Sequence, residues 1–201
     1  DLLIEARWIA TVDTDLVLKN HAVAVHNGRI VALLPASEAR SRFQAVERVS
    51  LDEHILIPGL VNLHTHAAMT LLRGLADDLP LMEWLQNHIW PAEAEHISAK
   101  FVYDGTRLAC AEMLKGGITC FNDMYFYPEA AAAAADEFGM RAMIGITAIE
   151  FPTPYASDAD DYLNKGLAIR EMWLDKPLIS FCLAPHAPYT VSDTTFERVL
   201  T

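Results

Sequence analysis

The residues best suited to chemistry in this chain are His64-Thr65-His66, which close the apolar run from Ile55 to Leu63. In a β-strand alternate side chains share a face, so a His-x-His pair there directs both imidazoles to one place, whereas on a helix they would diverge by about 200°. Two ring nitrogens meeting at one point suit a metal ion, and histidine is the commonest protein ligand for transition metals. The same spacing also arises by chance in surface strands and loops, so the surroundings decide. The run is rich enough in leucine and β-branched residues to predict a buried strand, and Pro58-Gly59 interrupts its start. Small or polar residues (Ala67, Ala68, Thr70) follow it. The motif reads as the rim of a site.

Other candidates speak less clearly when read alone. Glu93 and Glu95, in Pro-Ala-Glu-Ala-Glu, fit a solvated helix start favoured by the helix dipole. Asp123, at a strand end, fits a metal ligand or a loop cap equally well. Trp84 and Trp90 suit a core as well as a pocket. His21, His26, His54, His88 and His96 have no partner spacing and read as surface or satisfied histidines. Cys110, Cys120 and Cys182 are odd in number and form no Cys-x-x-Cys, which predicts neither a disulfide framework nor a thiolate zinc site and fits the reducing cytoplasm.

The elements that must hold these residues follow from pattern. Ala6 to Val12, Ala22 to His26 and Arg29 to Leu33 read as strands, the last two joined by Asn27-Gly28, a hairpin signal because both residues tolerate positive φ. From about residue 55 strands alternate with helices. Ser98 caps a helix whose apolar positions Val102, Gly105, Ala109 and Met113 recur at helical spacing until Gly116-Gly117. Ile118 to Asn122 is the next strand. Pro128 opens an alanine-rich helix, Glu129 to Phe138, whose small side chains allow close approach to a sheet. Arg141 to Ile146 is a strand, Asp158 to Leu174 a helix, Leu178 to Ala184 a strand, and Ser192 to Thr201 begins another helix.

Such alternation implies a parallel sheet, either open and doubly wound or closed into a barrel. His64, His66, Asp123 and His186 all fall at strand ends, the face where a (β/α)8 barrel builds its site. An open sheet would carry a glycine-rich loop after its first strand, and Asn62 to Thr70 has no glycine. A full barrel takes about 250 residues, so the 201 residues, with four strand-helix units, are expected to be the N-terminal part of a longer protein. The net charge of −12 argues against a nucleic-acid partner, and no apolar stretch has the length of a membrane span or a signal-peptide core.

The stretch Pro58-Gly-Leu-Val-Asn-Leu-His-Thr-His66, with Met69-Thr-Leu-Leu-Arg-Gly-Leu-Ala-Asp-Asp-Leu79, resembles the amidohydrolase superfamily, and within it the 5'-methylthioadenosine/S-adenosylhomocysteine deaminases. Glu83-Trp84-Leu85, Pro91 with Glu93, Phe121 to Phe126, Phe138 to Ala142 and Ala184-Pro-His-Ala-Pro-Tyr189 extend the likeness. The resemblance implies an α/β fold: a metal-dependent (β/α)8 TIM barrel, of which residues 55–201 are the first half, with residues 1–54 forming part of a small composite β-sandwich. It implies one divalent metal ion, zinc, held in part by His64 and His66. Trp84, Glu93 and His186 would bind the nucleoside, Glu93 through the ribose hydroxyls.

In that family a third metal histidine lies in a His-x-x-Glu motif on the strand after Pro-His-Ala-Pro-Tyr. No such motif follows His186, so the catalytic residues are expected beyond Thr201 and the 201 residues alone are expected to be inactive. The implied reaction is hydrolytic deamination of an adenine nucleoside thioether to the inosine product and ammonia. Some relatives place arginines near here that meet the homocysteine carboxylate; the stretch between Ala142 and Ile169 lacks arginine, which favours a neutral thioether such as methylthioadenosine, while Arg170 or residues beyond Thr201 leave S-adenosylhomocysteine open. A homo-oligomer is a further expectation from the family. Two alternatives stay open: another aminohydrolase or chlorohydrolase, of guanine, cytosine or triazine type, and a non-catalytic metal-binding half-barrel.

Overall fold

The structure is a computed structural model and describes residues 1–13 and 15–200. The chain divides into two compact units, Asp1–Gly59 and Leu60–Thr201. The first is one mixed sheet built from β1 (Leu2–Ala10), β2 (Val17–His26), β3 (Arg29–Pro35) and β4 (Glu47–Leu56), with helix α1 (Ala36–Arg42) between the last two. Strand order is β3-β2-β1-β4, antiparallel except for the β1–β4 pair. The Asn27-Gly28 hairpin forms as expected, with both residues at positive φ. The first strand begins earlier than expected and stops at Ala10, short of Val12, which adopts φ 66°. Alternation along β2 sends Ala22 and Ala24 into one apolar cluster with Leu3, Leu34 and Ala39, and Val23 into another with Ala6 and Ile9.

The second unit is the one that bears the His-x-His pair. Its strands are β5 (Leu60–Thr65), β6 (Ile118–Met124), β7 (Arg141–Ala148) and β8 (Ile179–Pro185), parallel and in sequential order. Between β5 and β6 lie a 3-10 turn (Ala67–Leu72), α2 (Leu81–Trp84), a π turn (Leu85–Ile89), α3 (Trp90–His96) and α4 (Ala99–Lys115). Helices α5 (Pro128–Glu137) and α6 (Ala159–Met172) follow β6 and β7, and α7 (Asp193–Val199) follows β8. The sequence carries this last helix on to Thr201, which lies outside the described residues.

Local chemistry explains most boundaries. Ser98 and Asp158 accept hydrogen bonds from the backbone N–H groups of Phe101 and Asp161, satisfying donors that the first helical turn leaves open. Pro128 starts α5, and Ala130, Ala131, Ala132, Ala134 and Ala135 are all buried. Phe121, Ile144, Val102, Met140 and Tyr162 fill the core between sheet and helices.

Two expectations need correction. The apolar run from Ile55 to Leu63 is not one strand: Pro58-Gly59 divides it, and Ile55 and Leu56 end β4 in the other sheet. Nor is the His-x-His strand buried. Leu60, Val61 and Leu63 are 52%, 55% and 75% exposed. β5 is the edge of its sheet, paired with β6 alone among the described strands, so hydrophobic side chains that pattern assigns to a core stay open.

Gly105 is where α4 meets the turn after β5. A Cβ there would overlap the Ala68 carbonyl oxygen and lie 2.9 Å from the Ala68 Cα, both of them backbone atoms that cannot swing aside. Alanine gains about 1 kcal/mol over glycine in a helix interior, but overpacking costs about 1–3 kcal/mol. Gly105→Ala is therefore expected to destabilise the protein by about 1–2 kcal/mol net, measured by urea unfolding; a gain in stability would refute the close approach.

Candidate functional site

His64 is the fifth residue of β5, and His66 lies one residue past the strand, at φ −122° and ψ 70°, so that Thr65, the last strand residue, keeps the two-residue period between them. The alternation therefore holds, and the two Nε2 atoms face each other at 3.3 Å. His66 Nδ1 is 2.7 Å from the Met124 carbonyl oxygen. A carbonyl only accepts, so Nδ1 carries the hydrogen and donates it, leaving the lone pair of the neutral ring on Nε2. A tetrahedral ion with each ring nitrogen at about 2.0–2.1 Å separates them by about 3.3 Å, which is the separation found. The pair thus fits a divalent metal as two of its ligands. Among the described residues no group of three or more His, Cys, Asp or Glu converges on one point.

Asp123, which sequence left between ligand and cap, is a cap. It is 2% exposed, and its Oδ1 accepts from the Ala67 backbone N–H at 2.7 Å and from the Thr65 hydroxyl at 2.8 Å. These two donors flank His66, so a single oxygen on β6 fixes the backbone on both sides of the histidine. Burial pushes the Asp123 carboxyl above the usual carboxylate range, while hydrogen bonds from Ala67 and Thr65 and the charge of His66 work the other way.

Trp84, Glu93, His186 and His66 line one cavity of about 450 Å³; His64 does not. That volume falls within the range of small-molecule sites. Trp84 and Glu93 reach it together because of the π turn, in which the Trp90 N–H bonds to the Leu85 carbonyl, five residues back. Nine residues of regular α-helix are two and a half turns and would put the two side chains on opposite faces. The π turn absorbs one residue, about 100° of rotation, and brings both to the cavity. The Trp84 indole N–H donates to the Leu75 carbonyl at 2.9 Å, so the ring also pins the loop before α2. Trp90 lines the cavity as well, next to the ring of Phe151.

Glu93 is not a solvated helix-start acid. It is half-buried, burial raises its pKa, and the Tyr125 hydroxyl donates to its Oε1 at 2.6 Å. Tyr125 is 8% exposed and also lines the cavity; sequence reading missed its role, since only the Phe-Asn-Asp-Met-Tyr-Phe stretch around it gave any signal. His186 sits just past β8, and its Nδ1 is 2.8 Å from the Thr190 hydroxyl. Burial, and then the charge of His66, lower its pKa.

Half of a parallel barrel with paired histidines at its strand ends defines the class to which the comparisons point. The Amidohydrolase family model matches residues 55–201, and the chain belongs to that family. It is 52% identical over 200 residues to a 5-methylthioadenosine/S-adenosylhomocysteine deaminase of Saccharophagus degradans, covering 99% of this chain and 45% of that protein. A protein of the same description from Teredinibacter turnerae is 45% identical over 200 residues, covering 99% of this chain and 45% of that protein.

The crystal structure of an adenosine deaminase from Xanthomonas campestris with bound zinc superposes with a TM-score of 0.97 at 54% identity, covering 100% of this chain and 46% of that one. Atrazine chlorohydrolase from Arthrobacter aurescens TC1, complexed with zinc, superposes at 0.86 but at 18% identity, over 98% of this chain and 49% of that one, and shares the fold. The chain spans less than half the length of these relatives.

Asp123→Ala leaves the buried Ala67 N–H without its acceptor, while the Thr65 hydroxyl keeps the Asn122 carbonyl, and is expected to cost about 1–3 kcal/mol; Asp123→Asn keeps an oxygen in place and costs less. A raised native pKa favours the fold most below the unfolded value of 3.8, and that contribution is lost as pH rises through the native pKa. Urea unfolding should thus find Asp123→Asn gaining on the wild type as pH rises above 3.8; a widening gap would contradict this. For His186, whose pKa is lowered, NMR titration of the ring should give a midpoint under 6.5, with the neutral ring favouring the fold above 6.5 and that contribution lost on acidification.

Proposed function

We propose that the protein bearing this chain is a metal-dependent deaminase of adenine nucleosides, acting on 5'-methylthioadenosine in preference to S-adenosylhomocysteine and releasing ammonia and the inosine product. The observation that carries this reading is the cavity that Trp84, Glu93 and His186 share with His66. The names of the relatives support the same chemistry. A divalent ion, zinc in the crystallised relatives, would be held in part by His64 and His66. When bound, such an ion lowers the pKa of water to about 7 and so makes hydroxide available at neutral pH.

The residues of this chain supply binding and orientation. His66 is locked by the Met124 carbonyl with its Nε2 turned to that of His64. Glu93 keeps Oε2 for a ligand donor, since Oε1 holds the Tyr125 hydroxyl, and a carboxylate is suited to accept from the vicinal hydroxyls of ribose. His186, half-buried with its pKa lowered, offers the base a neutral ring. Trp84 contributes a flat apolar wall. Leu81, Leu85, Ile149 and Phe151 provide an apolar lining suited to an alkyl thioether. Among the described lining residues there is no lysine or arginine to meet a homocysteine carboxylate. Three cysteines without a disulfide fit a reducing, cytoplasmic setting.

Ammonia release by the intact protein tests this directly. Methylthioadenosine should be turned over, guanine and free adenine should not, and a chelator should abolish activity until zinc is restored. Glu93→Gln should raise KM for the nucleoside about tenfold or more, the value of a hydrogen bond to a charged group. Efficient turnover of a free base, indifferent to Glu93→Gln, would sink the nucleoside reading and favour a base aminohydrolase.

A further inference from the structure

We infer that Tyr125 is a positioning residue for substrate recognition: its hydroxyl holds the Glu93 carboxylate in the orientation that receives a cis-diol of the ligand. This rests on the reading of Glu93 as the group that binds ribose, and it adds a residue that neither motif nor spacing assigned.

The geometry is specific. Glu93 comes from α3 and Tyr125 from the residue after β6, so the hydrogen bond ties the helix following the π turn to the sheet. At 2.6 Å it lies in the range of charge-assisted O–H···O⁻ bonds, which are shorter and stronger than neutral ones. Among the described residues Tyr125 is the one side chain hydrogen-bonded to this carboxylate. A glutamate side chain turns about several bonds, and without that contact its two oxygens have no fixed direction in the cavity. With Oε1 held, Oε2 and the remaining lone pair of Oε1 have fixed directions, which two adjacent hydroxyls can match.

Tyr125 is itself immobilised. Its ring is buried, lies 4.9 Å from that of Phe126, and its carbonyl accepts from the Thr147 hydroxyl at 3.2 Å. Burial and the charge of Glu93 both raise its pKa, so it remains a donor at physiological pH. The ring centroid is 6.4 Å from that of His66, which raises a competing role, support of the metal-side histidine, that the test must separate.

The test compares Tyr125→Phe with Glu93→Gln in the intact protein, using methylthioadenosine and its 2',3'-dideoxy analogue. The phenylalanine ring preserves the packing and removes only the hydroxyl. Expected is a KM about tenfold higher for methylthioadenosine with kcat changed by less than twofold, and no change in KM for the dideoxy analogue, which has no diol to align. In the Glu93→Gln background, Tyr125→Phe should add less than twofold, because the tyrosine acts through the glutamate.

Independent, multiplicative effects of the two substitutions would overturn the proposal, as would an unchanged KM in Tyr125→Phe beside a raised KM in Glu93→Gln. A fall in kcat or in zinc content with KM unaltered would overturn it too, assigning Tyr125 to His66 instead. If Glu93→Gln itself leaves KM unaltered, it is the ribose reading that fails. Should Tyr125→Phe not fold, Tyr125→Met, which also lacks the hydroxyl, replaces it in the cycle with the same expected and overturning results.

Discussion

The site depends on one buried oxygen. Asp123 Oδ1 takes the hydroxyl of Thr65 and the backbone N–H of Ala67, and the next residue, Met124, takes the ring hydrogen of His66. Three successive residues, the last of β5 and the two that follow it, are thereby held by two residues of β6. Without these bonds the segment past the strand would be a loop attached only at its ends, and the facing of the two Nε2 atoms would be one conformation among many. The cost is a carboxyl group removed from water, which is tolerable because both donors are supplied at hydrogen-bonding distance. Gly105 closes the arrangement from the other side, allowing α4 to press on Ala68 with no side chain between.

Much of the parallel unit was legible because its determinants are local. Ser98, Pro128 and Gly116-Gly117 signal helix ends within a few residues of themselves, and the alanine run of α5 forecasts its own burial. The His-x-His pair needed only the two-residue period of an extended chain. What could not be read depends on partners far away in sequence. Asp123 meets residues 56 and 58 positions earlier, and Tyr125 meets Glu93 across 32. The edge position of β5 was likewise hidden, since an apolar pattern reports what a strand can bury and says nothing of whether a neighbour arrives to cover it. Division of the Ile55–Leu63 run was signalled by Pro58-Gly59, yet hydrophobicity alone joined the two halves.

The π turn shows how a small departure from regularity does structural work. Trp84 and Glu93 belong to one nearly continuous helical stretch, and in a uniform helix they would serve opposite sides. One extra residue in a single turn rotates the C-terminal part so that an indole and a carboxyl share a wall. Neither residue's identity reveals this, because helical propensity is indifferent to a one-residue excess; the information resides in how the segment packs at both ends.

The absence of lysine and arginine from the described cavity wall has a consequence in the energetics of transfer. A ligand carrying a formal negative charge must leave water to enter a chamber walled mainly by apolar side chains, and the side chains there that titrate are two histidines, two tyrosines and a glutamate. An ion desolvated without a counter-charge pays several kcal/mol even after the surroundings relax. Over this part of the wall, an anionic group therefore meets no lysine or arginine side chain to offset the loss of its hydration.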